Sequence, residues 1–205
     1  MQADEAYRWL VGDAGDNFDT HVCASVLALA HAESLAGNEA FSGAVGLDGV
    51  ELATLAAEVF PHAVPWLVQR AGGDCVSHSS EEACLLDLLQ SCATRRSPFE
   101  GMLAAIIARR AQQPNHLWQD LGLRNREELN CLMERHFALL AQRNSRNMKW
   151  KKFLYRIICQ DQNYSLCTAP SCAECDDFQV CFGDEDGESL LARIRREESP
   201  AATSG

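Results

Sequence analysis

Four cysteines near the C-terminus constrain this chain more than any other feature of its sequence. Cys167, Cys172, Cys175 and Cys181 form a C-x4-C-x2-C-x5-C run within fifteen residues. Four thiols so close together can enclose a metal centre without ligands from the rest of the fold. The other six cysteines are scattered, at positions 23, 75, 84, 92, 131 and 159, and show no ligand spacing. Those at 23, 84, 92 and 131 fall on predicted helices, where we expect them to be small core residues. We therefore expect the chemistry of this protein to be local to one loop.

The spacing of the four cysteines favours an iron–sulfur cluster over zinc. Clusters are held by cysteine thiolates, and a C-x4-C-x2-C start is one of their known spacings. Zinc sites usually pair one C-x2-C unit with a second such unit or with two histidines. Here only Cys172 and Cys175 have that spacing, and no histidine follows His136. A zinc site and a disulfide pair remain open as alternatives.

Length and composition indicate an ordinary globular protein. A chain of 205 residues fits one domain, and its contents of 47% hydrophobic and 23% charged residues are unexceptional. No apolar stretch approaches the roughly 18 residues that span a bilayer. The N-terminal residues lack the basic and apolar blocks of a signal peptide. We therefore expect a cytoplasmic protein whose ten cysteines are reduced thiols or metal ligands.

The negative charge is concentrated in the first half of the chain. Residues 1–100 carry fifteen acidic and four basic side chains, whereas residues 101–205 carry fourteen of each. Six basic residues and no acidic one lie in the segment 143–156, among them Lys149, Lys151 and Lys152, which are all the lysines of the chain. The acidic half argues against general binding of nucleic acid, which needs distributed positive charge. The basic segment is a candidate docking surface or a solvated helix face.

The residue pattern before position 160 predicts an all-α protein. Capping residues and apolar periodicity predict helices over 18–36, 46–60, 79–92, 98–111, 125–140 and 150–159, with a weaker amphipathic helix over 190–196. The residues that can begin the first five are Asp16 or Asn17, Asp48, the capping-box sequence 79–82, Pro98 and Asn125. No segment alternates over the length of a strand. We expect a single helical domain over 1–160, a cysteine-rich metal-binding loop over 161–183, and an acidic, mobile tail over 184–205.

Two segments upstream of the cysteines add a specific resemblance. They read Asn115-His-Leu-Trp-Gln-Asp-Leu-Gly-Leu123 and Met148-Lys-Trp-Lys-Lys-Phe153, and Phe182-Gly183 directly follows the last cysteine. In this order, these motifs and the cysteine run resemble the NifQ family of nitrogen-fixation proteins. The resemblance covers about residues 80–183. The family usually has Pro after a His-Phe pair, whereas this chain has Ala138.

The resemblance implies a role in handling molybdenum for the iron–molybdenum cofactor of nitrogenase. It implies a carrier that binds an iron–sulfur cluster, incorporates molybdenum and passes it to the scaffold proteins of cofactor assembly. Cys167, Cys172, Cys175 and Cys181 would be the cluster ligands. Its partners would be those scaffold proteins and a molybdenum source, with no membrane or nucleic acid. Nothing in the sequence resembles a catalytic nucleophile–base pair, a phosphate-binding loop or a paired-carboxylate site, so we do not expect an enzyme.

Four further residues are candidates for an accessory role at the cysteine loop. His116 lies in a polar, interrupted segment, where it either makes a structural hydrogen bond or serves as a transient ligand or proton donor during molybdenum entry. Lys149, Lys151 and Lys152 would offset the acidic residues of the loop, whose charge opposes a reduced, anionic cluster.

Two other functions remain open on the sequence alone. One is an iron–sulfur or zinc regulatory or interaction protein that docks through the basic segment 143–156. The other is an oxidoreductase that passes electrons through a fixed cluster.

Overall fold

The fold is all-α, as the sequence predicts. In this computed structural model the described residues are 1–12, 17–37, 39–71, 77–161, 180–181, 185 and 187–198, and no strand occurs among them. Their helices are α1 (Ala3–Val11), α2 (Phe18–Leu35), α3 (Phe41–Val45), α4 (Gly49–Val59), α5 (Val64–Arg70), α6 (Ser80–Ser91), α7 (Pro98–Arg110), α8 (Leu117–Asp120), α9 (Arg126–His136), α10 (Ala138–Arg143), α11 (Trp150–Asp161) and α12 (Leu190–Glu198), with a 3-10 turn at Pro61–Ala63.

Helix α2 runs through the centre of the core. Asn17 caps it, because the side-chain oxygen of Asn17 accepts hydrogen bonds from the N–H groups of Asp19 (3.0 Å) and Thr20 (3.3 Å). From Val22 to His31 every residue is buried. A helix that is apolar on all sides can only be stable with neighbours around it. Here α1, α3 and α12 pack against it.

The N-cap of α4 and the first residue of α7 lie where the sequence predicts them. Asp48 caps α4 and accepts from the N–H groups of Val50 and Glu51 at 2.8 and 2.9 Å. Pro98 occupies the first position of α7, as its fixed φ allows. The predicted start of α4 at Gly46 is wrong by three residues. Gly46 instead ends α3 with φ +83°, a left-handed conformation that glycine adopts readily.

The capping box predicted at the start of α6 forms only in part. The Ser79 hydroxyl accepts the Glu82 N–H at 3.1 Å, as expected. The carboxylate of Glu82, however, lies 2.8 Å from Nδ1 of His78 and 2.9 Å from Nε of Arg109 on α7. Glu82 is 2% exposed, so its charge goes to the nearby His78 and to Arg109, which only the tertiary fold brings close.

The single helix predicted over 125–140 is two helices. α9 ends at His136, and Phe137 leaves helical geometry with φ −136° and ψ 50° before α10 begins. Thr94 satisfies the interrupted backbone: its N–H donates to the His136 carbonyl at 2.9 Å, and its hydroxyl oxygen accepts the Ala138 N–H at 3.0 Å. The break therefore occurs without a proline at position 138.

The segment after the cysteines contains a packed helix. α12 lies against α1 and α2, and Leu191 packs with Ala3, Ala6 and Ala28. Residues 162–179 and 182–184 lie outside the described part of the chain, so the division at residues 160 and 183 stays a prediction. None of the described helices combines the length and the apolar character needed to cross a bilayer.

Candidate metal centre

One of the four predicted ligands lies within the described residues. Cys181 is half-buried and packs against the main hydrophobic core. Cys167, Cys172 and Cys175 lie outside the described residues. Among the residues that are described, no three His, Cys, Asp or Glu side chains converge as a metal-binding group. The four-cysteine ligand set stays a prediction. The structure shows which contacts hold Cys181, the one described member of the set.

The backbone of Cys181 is bonded to the start of α11. Its carbonyl oxygen accepts the Lys149 N–H at 2.8 Å. The preceding residue Met148 is fixed by Asn144, whose side chain accepts the Met148 N–H and donates to the Met148 carbonyl, both at 2.9 Å. Asn144 is 8% exposed. The middle of the basic segment 143–156 therefore lies directly beside the last cysteine.

A largely buried ion pair between Arg126 and Glu185 holds the chain just after Cys181. Glu185 is 4% exposed, and one of its carboxylate oxygens lies 2.9 Å from Nη1 of Arg126. Nη2 of Arg126 donates to the carbonyls of Asn147 and Met148 and to Oδ1 of Asn147, at 2.9 to 3.0 Å. One guanidinium thus joins the residues that precede α11 to the residue four positions after Cys181.

His116 lies in the same cluster, as a neighbour of Glu185. Its Nδ1 is 3.2 Å from the second carboxylate oxygen of Glu185, and its side chain is 34% exposed. The His116 N–H donates to the side chain of Gln119, whose amide donates in turn to the Glu188 carbonyl. The predicted accessory histidine is therefore next to the chain that leaves the cysteine run. Its role toward metal stays a prediction.

The three lysines have different surroundings. Lys151 lies in a largely enclosed site, where Nζ is 2.5 Å from the Asp120 carboxylate and 2.5 Å from the Gln113 carbonyl. Burial lowers the pKa of Lys151, and Asp120 opposes that shift. Lys152 is exposed on α11, and Lys149 is half-exposed at its start. The charge of Lys151 is thus matched by Asp120.

Sequence reasoning missed Arg126, Glu185 and Asn144 as parts of this region. Arg126 reads as an ordinary first-turn residue of a helix, and Glu185 as one of several acidic residues in a polar tail. The one signal in the sequence is the pair of asparagines inside the basic segment, at 144 and 147, which indicates a turn before α11. Asparagine tolerates turns and left-handed backbone, and Asn147 has φ +55°.

The chain matches a family model over most of its length. The NifQ family model matches residues 22–183. A protein NifQ homolog of Sinorhizobium fredii is 40% identical over 181 residues, which is 88% of this chain and 79% of that protein. No solved structure matches.

Two further relatives match over a shorter region. Protein NifQ of Rhodobacter capsulatus is 47% identical over 89 residues, 43% of this chain and 49% of the relative. Protein NifQ of Klebsiella pneumoniae is 48% identical over 83 residues, 40% of this chain and 50% of the relative. The matched region of the family model contains all four cysteines of the run, His116 and the three lysines. The chain therefore belongs to the NifQ family of nitrogen-fixation proteins.

Proposed function

We propose that this protein is a cytoplasmic carrier of molybdenum, held as part of a molybdenum–iron–sulfur cluster, for biosynthesis of the nitrogenase iron–molybdenum cofactor. The observation that carries the proposal is the run of four cysteines inside the region that matches the NifQ family. Thiolates are soft ligands and suit a sulfur-rich centre of iron and molybdenum. The cluster is the cargo of the protein, and the partners would be a molybdenum source and the scaffold proteins that assemble the cofactor.

The position of Cys181 supports a carrier, as opposed to a buried redox centre. A carrier must protect its cargo and also surrender it to a partner. Cys181 is half-buried and lies next to the start of α11, and this partial exposure supports a cluster that a partner protein could reach. We propose no catalytic residue, because the role requires binding and release of the cluster and no covalent step on a substrate.

Docking through the basic segment 143–156 is the second candidate function. Arg143, Arg146 and Lys152 are exposed, which suits contact with an acidic partner surface. A regulatory or interaction protein of this kind would hold zinc or a fixed cluster and would not give up metal. Two measurements distinguish the two functions: which metals the protein binds, and whether it transfers them to a partner.

Single cysteine variants test the carrier directly. We expect Cys167→Ala, Cys172→Ala, Cys175→Ala and Cys181→Ala each to lose most of the bound iron and the ability to donate molybdenum to a cofactor-assembly scaffold under anaerobic conditions. Circular dichroism should show the helical content of the wild type, because the ligands are local to one loop.

The matched control is Cys131→Ala, an exposed cysteine outside the run, which should transfer molybdenum normally. A variant of the run that transfers molybdenum at the wild-type rate would remove that cysteine from the site. Wild-type protein that is colourless and carries one zinc per chain would refute the carrier.

A further inference from the structure

The last cysteine of the run is attached to the helical body by contacts that involve no metal. Its carbonyl accepts the Lys149 N–H at 2.8 Å, and its side chain packs against the main core. The hydrogen bond that the Cys181 carbonyl accepts fixes the backbone of this residue. Packing against the core limits the rotamers that its side chain can adopt. These contacts give Cys181 a defined position on the helical body.

Arg126 joins two segments near Cys181: the residues that precede α11 and the residues that follow Cys181 in the chain. The guanidinium binds the carbonyls of Asn147 and Met148 on one side and the carboxylate of Glu185 on the other. Met148 is adjacent to Lys149, and Glu185 is four residues after Cys181. The contacts therefore form a closed ring: Cys181 to Lys149 through a hydrogen bond, Met148 to Arg126, Arg126 to Glu185, and back along the chain to Cys181.

The burial of the pair makes this ring costly to open. The side chains of Arg126 and Glu185 are 14% and 4% exposed, so a charge left without its partner would be poorly solvated. His116 Nδ1 lies 3.2 Å from the other oxygen of Glu185, which adds a second contact to the carboxylate. An exposed pair would give way to water far more readily.

We propose that Arg126 and Glu185 are positioning residues that hold Cys181 in place on the helical body ahead of metal binding. The proposal rests on the proposed function only in taking Cys181 as a ligand. A ligand that is already ordered loses less conformational freedom when it binds, so Cys181 would bind metal at a lower entropic cost than it would without these contacts. Loss of either partner frees Cys181 without removing its thiol.

The reactivity of the thiols in the metal-free, full-length protein measures this ordering. We would label Glu185→Gln and Arg126→Gln with iodoacetamide and follow each cysteine by peptide mass spectrometry. Labelling of Cys181 should become about tenfold faster or more, because it then reports opening of the local structure. Labelling of Cys23, which is fully buried, and of Cys131, which is exposed, should not change.

Two nearby variants are matched controls. Glu188→Gln, three residues after Glu185, breaks a pair with the exposed Arg196. Arg124→Gln, two residues before Arg126, removes an exposed arginine that pairs with Glu128. Both should label Cys181 at the wild-type rate. An unchanged Cys181 rate in Glu185→Gln and Arg126→Gln would overturn the proposal. So would an equal rise at Cys23, since that result would show loss of the whole fold and not of one position.

Hydrogen exchange in the wild-type protein tests the same ordering of Cys181 without any substitution. The Lys149 amide should exchange slowly without metal, because the Cys181 carbonyl accepts it. Exchange as fast as in an open loop would overturn the proposal.

In iron-loaded protein, the two variants should lose iron to a chelator several-fold faster than the controls. A wild-type chain that binds no iron would end the proposed function but would leave the labelling and exchange results standing.

Discussion

At the residue scale, buried charges in this protein are held by partners from distant parts of the chain. Arg110 is fully buried and donates to both carboxylate oxygens of Glu33, at 2.7 and 2.8 Å, and to the carbonyls of Ala44 and Asp120. One side chain thus connects α2, α3, α7 and α8. The sequence places Arg110 in the last turn of a helix, where it reads as a residue favourable to the helix dipole. Its partners cannot be predicted, because Glu33 is 77 residues away in the chain.

Removal of this arginine should be among the most destabilising changes in the helical body. Arg110→Met leaves Glu33 and two backbone carbonyls without their donor, so we expect a loss of about 3 kcal/mol or more in the free energy of unfolding. Denaturation by urea, followed by circular dichroism, measures it. Arg8→Met, which removes only a pair with Asp4 whose arginine is 71% exposed, should change stability by about 0.5 kcal/mol or less. A loss below about 1 kcal/mol for Arg110→Met would contradict this account.

The cysteines outside the run also show what a pattern can and cannot predict. Cys23 is fully buried as expected, and its burial, with Asp19 and Glu58 nearby, raises the pKa of the thiol. Cys131 was predicted to be a small core residue but is exposed, so that prediction is wrong. A cysteine on a helix does not disclose which face of the helix is covered, because the neighbouring elements decide that.

At the element scale, local chemistry determines where the helices begin, and tertiary contacts determine several of the ends. Asn17, Asp48 and Asn125 cap their helices with side-chain hydrogen bonds that the sequence predicts. The division between α9 and α10 was not predicted, because Phe137 is buried there and Thr94, some forty residues earlier, satisfies the open backbone groups. The short helices α3, α5 and α8 have too few turns to show periodicity.

The start of α9 carries a pH-dependent contact. Burial opposes ionisation of Glu128, but hydrogen bonds from the His21 side chain and the Arg124 N–H, with electrostatic attraction to those residues, outweigh it and lower the pKa of Glu128 below its ordinary value of 4.5. A carboxyl group whose pKa is lower in the folded state stabilises the fold above its unfolded pKa. That stabilisation is lost as the pH falls through the folded pKa.

Replacement of Glu128 should therefore change the acid side of the stability profile. Glu128→Gln should be less stable than the wild type at pH 7, and the difference should shrink as the pH falls below about 4.5. Thermal unfolding between pH 3 and pH 8 measures this dependence. Glu127→Gln, at the exposed neighbouring position, should follow the wild type throughout. If the stability difference between Glu128→Gln and the wild type stays constant down to pH 3, the ionised Glu128 carboxylate is not what stabilises the fold.

At the scale of the whole molecule, the motifs were predictable and their spatial relations were not. The cysteine run, the His116 segment and the basic segment could each be found in the sequence, and the family match contains all three. The structure adds that His116 and the start of α11 meet next to Cys181, through Glu185 and Arg126. This contact depends on how α8, α9 and α11 pack, which no local pattern encodes. The proposal of a molybdenum–iron–sulfur cluster rests on the four cysteines together with the family match.

X-ray absorption at the iron and molybdenum edges of anaerobically purified protein tests the cargo most directly. We predict sulfur neighbours around both metals and a molybdenum–iron distance typical of one shared cluster, and both signals should disappear in Cys172→Ala. Zinc bound by four sulfurs, or iron in a cluster with no molybdenum after growth on molybdenum, would contradict the carrier.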